Sequence, residues 1–373
     1  MQRKFLLFLL SVQYILLHGQ VLSPILVCEM PDKLVETSGL VAQSESAFWS
    51  FEDSGNAEEL YQINQNGNVV KTVKLNNASN KDWEDLTSDD QYSYVGDFGN
   101  NTSNRKDLVI YKMTKLQNII GTAVTPQKIN FKYEDQIDFN PPVGTWEFDC
   151  EAMITIRDSL YLFSKDYTFP LKGQTKIYKL SKTPGEQTAR LLNILPTSTS
   201  SYDLGQITGA AISPDEKRII LLANNGLYLI DNYNISNFWN GRVRFFKFDQ
   251  KLQREGIAFL DPKTIYLTNE ENTNGKASLW RLDLSSILTA NEETKSEDTV
   301  EVSYAISTKI LGIRSSKPLL WLEIMDTQGR RVTNESFESS TEIQIPLELT
   351  AGIYFIKMIA KDKTSTIHKI WIR

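Results

Sequence analysis

The chain has 373 residues, 41% hydrophobic and 23% charged, with a formal net charge of −6. That length exceeds one ordinary domain and suffices to bury a large core. The acidic balance excludes nucleic acid and anionic membrane as partners, since both reward a concentrated basic patch and the sequence has none. Residues 1–19 begin with Arg3 and Lys4, run through the apolar stretch Phe5 to Leu17 and reach Gly19, the pattern of a signal peptide with cleavage expected before Gln20. The apolar stretch is too short for a transmembrane segment and is broken by Ser11, Gln13 and Tyr14. Loss of Arg3 and Lys4 with the leader takes the mature charge to about −8. Cys28 and Cys150 are the only cysteines. In an exported chain they are open to two readings, a disulfide or two separately buried thiols.

Beyond the leader a unit recurs. Its openings are Ser38-Gly-Leu40, Trp83-Glu-Asp-Leu86, Cys150-Glu-Ala-Met153, Ile207-Thr-Gly-Ala-Ala211 and Glu255-Gly-Ile-Ala258. Each is followed by an apolar strand that runs into a polar turn, as in Ala47 to Gly55, Tyr92 to Asn101, Ser159 to Tyr167, Ile219 to Gly226 and Thr264 to Asn272. A third, aromatic-bearing strand follows, and fourth strands are readable at Val69 to Leu75, Lys128 to Tyr133, Ala189 to Leu195 and Arg242 to Phe248. Short strands in ordered sets of four predict an all-β chain with a β-propeller, of five blades or, if Gln117 to Phe148 or Leu195 to Leu204 hides another, six. A β-sandwich is the competing architecture. The fifth unit has no fourth strand of its own, because Asn291 to Asp298 is charged and strand-poor; Ile25 to Met30 can supply it and remove an exposed edge. The domains expected are therefore a leader over 1–19, a propeller over 20–290, a linker over 291–302 and a small C-terminal β-sandwich over 303–373.

Two resemblances attach to these residues. Asp53-Ser-Gly55, Asp82-Trp-Glu-Asp-Leu86, Gly96-Asp-Phe-Gly-Asn-Asn101, Asp149-Cys-Glu-Ala-Met153, Leu162-Phe-Ser-Lys165 and Glu255-Gly-Ile-Ala258 make residues 34–285 resemble bacterial extracytoplasmic propellers of the esterase-like phytase and SdiA-regulated families. That resemblance implies a secreted or surface propeller, in some members calcium-binding, and no particular reaction. Residues 303–373, with Leu320-Trp-Leu-Glu-Ile-Met-Asp-Thr-Gln-Gly-Arg-Arg-Val332, Leu349-Thr-Ala-Gly-Ile-Tyr-Phe-Ile-Lys357 and the terminal Lys369-Ile-Trp-Ile-Arg373, resemble the C-terminal sorting domain of type IX secretion. The resemblance implies an Ig-like sandwich, the type IX machinery as partner, and a secreted or outer-membrane surface location in a Gram-negative bacterium, reached through the periplasm. The usual Pro-Asn-Pro opening is absent, and Val302 to Ile313 stands there instead.

The two histidines, His18 and His368, lie in the leader and the terminal domain. The propeller has none, which excludes Ser-His-Asp and Cys-His catalysis and ordinary His-bearing zinc sites from it. Oxygen ligands remain, and they suit a hard cation such as calcium. In a propeller, first strands start at the face to which second strands return. Glu84, Glu151 and Glu255 should therefore share a rim with Asp53, Asp97, Asp166 and Glu270, compensated by Lys165, Arg105 or a cation. The ligand-binding residues expected are Glu84, Asp97, Glu151, Lys165, Glu255 and Glu270, and the calcium ligands Asp97, Asn100, Glu151 and Glu255. The competing reading makes the three glutamates clasps that hydrogen-bond the backbone of a neighbouring blade. The functions these residues point to are binding of a glycan, peptide or small molecule, or calcium-dependent hydrolysis of phosphate or carboxylic esters.

Overall fold

The computed structural model describes residues 16–289, 300–305, 308–362 and 365–372. The expected leader lies outside them through residue 15, as does most of the expected linker, residues 290–299. The chain divides into two compact units, Met1–Leu284 and Ser285–Arg373.

In the first unit, antiparallel sets of four strands follow one another. Blade 1 comprises Thr37–Ser44, Ala47–Glu52, Glu59–Asn64 and Val69–Leu75; blade 2 comprises Trp83–Ser88, Tyr92–Asp97, Leu108–Thr114 and Gln127–Tyr133. Blade 3 comprises Thr145–Ile156, Ser159–Thr168, Gln174–Ser181 and Gly185–Pro196; blade 4 comprises Gly209–Ile212, Ile219–Ala223, Gly226–Asp231 and Arg242–Phe248. Blade 5 takes Arg254–Phe259, Thr264–Asn269 and Ser278–Asp283 from one end of the unit and Ile25–Glu29 from the other. That borrowed strand runs antiparallel to Ser278–Asp283, with Ile25 opposite Arg281 and Glu29 opposite Ser278. Leu16–Leu22 adds a parallel strand to the outer edge of blade 4, along Arg242–Phe248.

First strands touch in sequence order, and Arg254–Phe259 returns to touch Thr37–Ser44, so the ring closes. This closure explains the burial pattern. Inner strands such as Ile219–Ala223 and Thr264–Asn269 are buried on both faces because a neighbouring blade covers each side, whereas the outer strand Val69–Leu75 alternates toward solvent. The core accordingly lies as wedges between blades: Trp49, Phe51 and Leu60 meet Trp83, Val95 and Tyr111, and Tyr94 and Ile110 meet Met153, Leu162 and Tyr178. Each such side chain, removed from water, contributes roughly 1.5–3 kcal/mol.

Near the axis the strands are close enough for side chains to bond the next blade's backbone. Ser38 Oγ donates to the Glu84 carbonyl at 2.6 Å, and Thr208 Oγ1 donates to the Arg254 carbonyl at 2.6 Å. The fully buried Asp85 accepts from Leu86 N at 2.8 Å and, across blades, from Met153 N at 2.6 Å. Gly39 permits the approach of blades 1 and 2. Its φ is +52°, and a Cβ there would stand 2.7 Å from Leu86 N.

The second unit is a small β-sandwich. Ile310–Asp326 and Arg331–Pro346 form a long hairpin whose turn is fixed by Asp326, which accepts from Gln328 N and Arg330 N, and by Gly329 at φ +75°. Pairing breaks register between Arg314 and Leu319, so the two halves of the hairpin fold onto one core in which Leu311 and Ile313 join Leu322, Ile324 and Ile356. Val300–Ala305, Gly352–Ala360 and Ser365–Ile372 complete it. No helix among the described residues is long and apolar enough to cross a membrane.

Candidate functional site

Antiparallel pairing sets first-strand starts beside second-strand ends: Thr37 faces Glu52, Trp83 faces Asp97, Asp149 faces Lys165 and Arg254 faces Asn269. One end of the ring therefore collects both sets. The pairing slips at nearly the same place in four first strands, between Ser38 and Val41, Trp83 and Asp85, Cys150 and Ala152, and Arg254 and Ile257. Such bulges re-aim one side chain out of the pleat. In blades 2, 3 and 5 that side chain belongs to Glu84, Glu151 and Glu255.

The carboxyl groups gather in two sets that share one member. Oxygens of Asp53, Asp82 and Glu84 all lie within 4.8 Å of one another, and so do those of Glu84, Asp149 and Glu151. Glu151 Oε2 is 2.8 Å from Lys165 Nζ, and Lys165 also lies over the Tyr167 ring at 5.3 Å. Asp149 accepts from Asn100 N at 2.5 Å and from Asn101 Nδ2 at 3.2 Å. Asp97 accepts from Arg105 Nη2 at 2.8 Å through Oδ1, while its buried Oδ2 has no partner. Glu255 Oε2 is likewise buried without one, and Glu270 accepts from Gln253 Nε2.

Burial and mutual repulsion push these groups toward their neutral forms. Burial, then the Glu151, Asp53, Asp149 and Asp82 carboxyls, hold Glu84 well above the usual carboxylate range. Burial lifts Glu255 to about 8 although Lys165 opposes it, and burial with Glu255 and Asp53 nearby lifts Glu270 to about 9. Asp53 rises to about 6, chiefly by burial. For Lys165 burial favours the neutral amine, but Glu151 and Glu255 outweigh it and hold the ammonium charged.

Of the residues singled out by sequence, Glu84, Glu151, Lys165, Glu255 and Glu270 interact electrostatically with one another or with Asp53. None of the three rim glutamates bonds a backbone group through its side chain among the described residues; the carboxylates that bond the backbone of a neighbouring blade are Asp85, which accepts from Met153 N, and Asp149, which accepts from Asn100 N. Asp97 is engaged by Arg105, and Asn100 is spent on its own loop and on the first strand of blade 3. Its Oδ1 accepts from Arg105 N at 2.9 Å and its Nδ2 donates to the Phe148 carbonyl at 3.0 Å. Asp166, expected at the rim, turns into the loop after its strand and accepts from Thr168 N, Thr168 Oγ1 and Gly173 N. Sequence reading did not single out Asp82 and Asp149 as ligands. The signal is present, because Asp82-Trp-Glu84 and Asp149-Cys-Glu151 repeat one Asp-x-Glu spacing in adjacent blades. Cys28 and Cys150 are free thiols in different blades.

A cavity of about 480 Å³ opens at the other end of the ring, among Gln43, Asp89, Lys115, Arg157, Lys182 and Phe259. It is remote from the carboxylates, and its buried ammonium is already satisfied: Lys182 donates to Asp89 at 2.8 Å and to the Arg157 carbonyl at 2.6 Å. Uncompensated charge and orphaned oxygens are concentrated at the carboxylate mouth, which is the better candidate for binding or chemistry.

No curated protein matches the chain. Among solved structures it is similar to PorZ, a surface component of the type-IX secretion system of Porphyromonas gingivalis, with 11% identity and a TM-score of 0.32 over 90% of this chain. The chain spans 45% of that protein's length. It is also similar to the PQQ-bound aldose sugar dehydrogenase of Streptomyces coelicolor, with 8% identity, a TM-score of 0.41 and coverage of 70% of this chain and 98% of that one. A putative TolB from Agrobacterium tumefaciens has 14% identity and a TM-score of 0.30, covering 82% and 94%. Residues 298–373 match the family described as the secretion system C-terminal sorting domain. The C-terminal segment is thus a sorting tail for type IX secretion, and the protein is secreted or held at the cell surface.

Proposed function

We propose that the exported propeller is a binding module whose carboxylate-lined mouth takes a glycan, peptide or small-molecule ligand with a calcium ion as counter-charge. The observation that supports this reading is the imbalance at the mouth. Asp53, Asp82, Glu84, Asp97, Asp149, Glu151, Glu255 and Glu270 converge on Lys165 and Arg105. Eight carboxyls cannot all ionise beside two cations without protons or a bound ion. The donor set fits calcium, being all oxygen, and Asp97 and Glu255 each keep a buried oxygen that nothing else meets.

A calcium-dependent ester hydrolase is the second reading. It is favoured by Glu255, whose carboxyl exchanges its proton at about 8, within the range useful to a general acid or base, beside an ammonium that could bind an anionic substrate. Thermal melting in calcium and in chelator, beside a panel of chromogenic phosphate and carboxylic esters, separates the two. A calcium-raised melting temperature without turnover is the expected result. Chelator-sensitive turnover that disappears in Glu151→Gln would favour the hydrolase, and no response to calcium at all would contradict both.

A further inference from the structure

Resting on that reading of the mouth, we infer that the cation sits between blades 1 and 2, held by Asp53, Asp82 and Glu84, with its remaining positions open to an oxygen-bearing ligand. The two carboxylate sets are not equivalent. In the set formed by Glu84, Asp149 and Glu151 the protein supplies its own compensation, through Lys165 on Glu151 at 2.8 Å and through Asn100 N and Asn101 Nδ2 on Asp149. No ion pair reaches Asp53, Asp82 or Glu84 among the described residues; Asp53 and Asp82 are met only by Ser54, whose N donates to Asp53 at 2.5 Å and whose hydroxyl bonds Asp82.

Glu84 is the independent sign of a missing partner. Its side chain is only 5% exposed, belongs to both sets, and meets neither a hydrogen-bond donor nor a cation among the described residues. A buried carboxyl in that position is costly unless something outside the chain satisfies it. Gly99 makes room for the convergence. A Cβ there would stand 2.2 Å from Glu84 Oε1 and 2.4 Å from Asp82 Oδ2. The spacing admits calcium, whose oxygen ligands sit at about 2.3–2.6 Å, because oxygens no more than 4.8 Å apart can all reach one such ion.

Glu84 lies at the buried base while Asp53 and Asp82 are half-buried and reach solvent. Three carboxylates leave several of the roughly six to eight positions of calcium unfilled on the open side. The ligand class that completes them carries adjacent oxygens, such as a carboxylate or the vicinal hydroxyls of a sugar.

Terbium luminescence titration with calcium competition, on the full chain, tests the assignment. One ion per chain is expected. Glu84→Gln should weaken binding by about tenfold or more, and Asp53→Asn should do the same, each by a larger factor than Asp97→Asn or Glu255→Gln does. Glu84→Gln also removes a buried, unpaired carboxyl, so in chelator it should melt at or above the wild-type temperature, which separates lost binding from lost folding. Wild-type affinity in Glu84→Gln with loss in Asp97→Asn or Glu255→Gln would move the cation elsewhere in the mouth and overturn this assignment alone. No ion bound by the wild type would overturn the cation-bearing mouth as well.

Discussion

Glu84, Glu151 and Glu255 are ordinary glutamates made unusual by position. Each opens a first strand, where a bulge turns the side chain toward the axis and neighbouring blades exclude water from it. A carboxyl raised in the folded state holds a proton that the unfolded chain has already released, so its contribution is present at low pH and lost as pH rises through the folded value. For Glu255 the window runs from the ordinary 4.5 to about 8, and for Glu270 from 4.5 to about 9. Urea melts in chelator should therefore show stability falling between about pH 5 and 9, by roughly 1.4 kcal/mol per pH unit for each extra proton held. Glu255→Gln should reduce the slope, and calcium should reduce it further by taking the place of protons. A flat profile in chelator would contradict the burial of these charges. At this scale the sequence revealed the glutamates, because propeller connectivity alone assigns strand starts to one rim. It did not reveal that Asp166 would serve its own turn or that Asn100 would be used up by Arg105 N and by Phe148 of blade 3, since a loop's hydrogen bonds, within itself and to the next blade, depend on backbone paths with no periodic signature.

Among the elements, the strand Ile25–Glu29 matters most, because it pairs the beginning of the propeller with the outer strand of its last blade. It covers the outer edge of Ser278–Asp283 and brings Met30 and Leu34 to a core shared with Phe48, Tyr61, Tyr266 and Leu279. An exposed strand edge is a template for aggregation. Met30→Pro removes the backbone donor that Met30 N gives to the Ala277 carbonyl at 2.8 Å, and should lower the melting temperature and increase light scattering on heating, whereas Met30→Leu should leave both nearly unchanged. Equal melting of the two variants would contradict closure by this strand. Its role was legible, because the charged run after the fifth unit cannot form a strand and an apolar one waits near the N-terminus. Pairing of Leu16–Leu22 along blade 4 was not, because those residues continue the apolar stretch of the leader and carry no separate strand signal.

For the whole molecule, a ring and a tail answer different needs. The sandwich was legible because its hairpin and terminal strand have strongly patterned sequences, and residues 298–373 match the sorting-domain family. The ring was legible from the recurrence of four strands, but the seat of the cation was not, since Asp53 and Asp82 are 29 positions apart and meet only once blades 1 and 2 lie side by side. Ring closure turns acidic residues scattered along the chain into one charged mouth, and the proposed function follows from that mouth. The most direct measurement is an anomalous difference map from crystals of the protein soaked in a lanthanide that replaces calcium. A single peak within coordination distance of Asp53, Asp82 and Glu84 is the predicted result; a map with no peak at the carboxylate mouth would contradict the account.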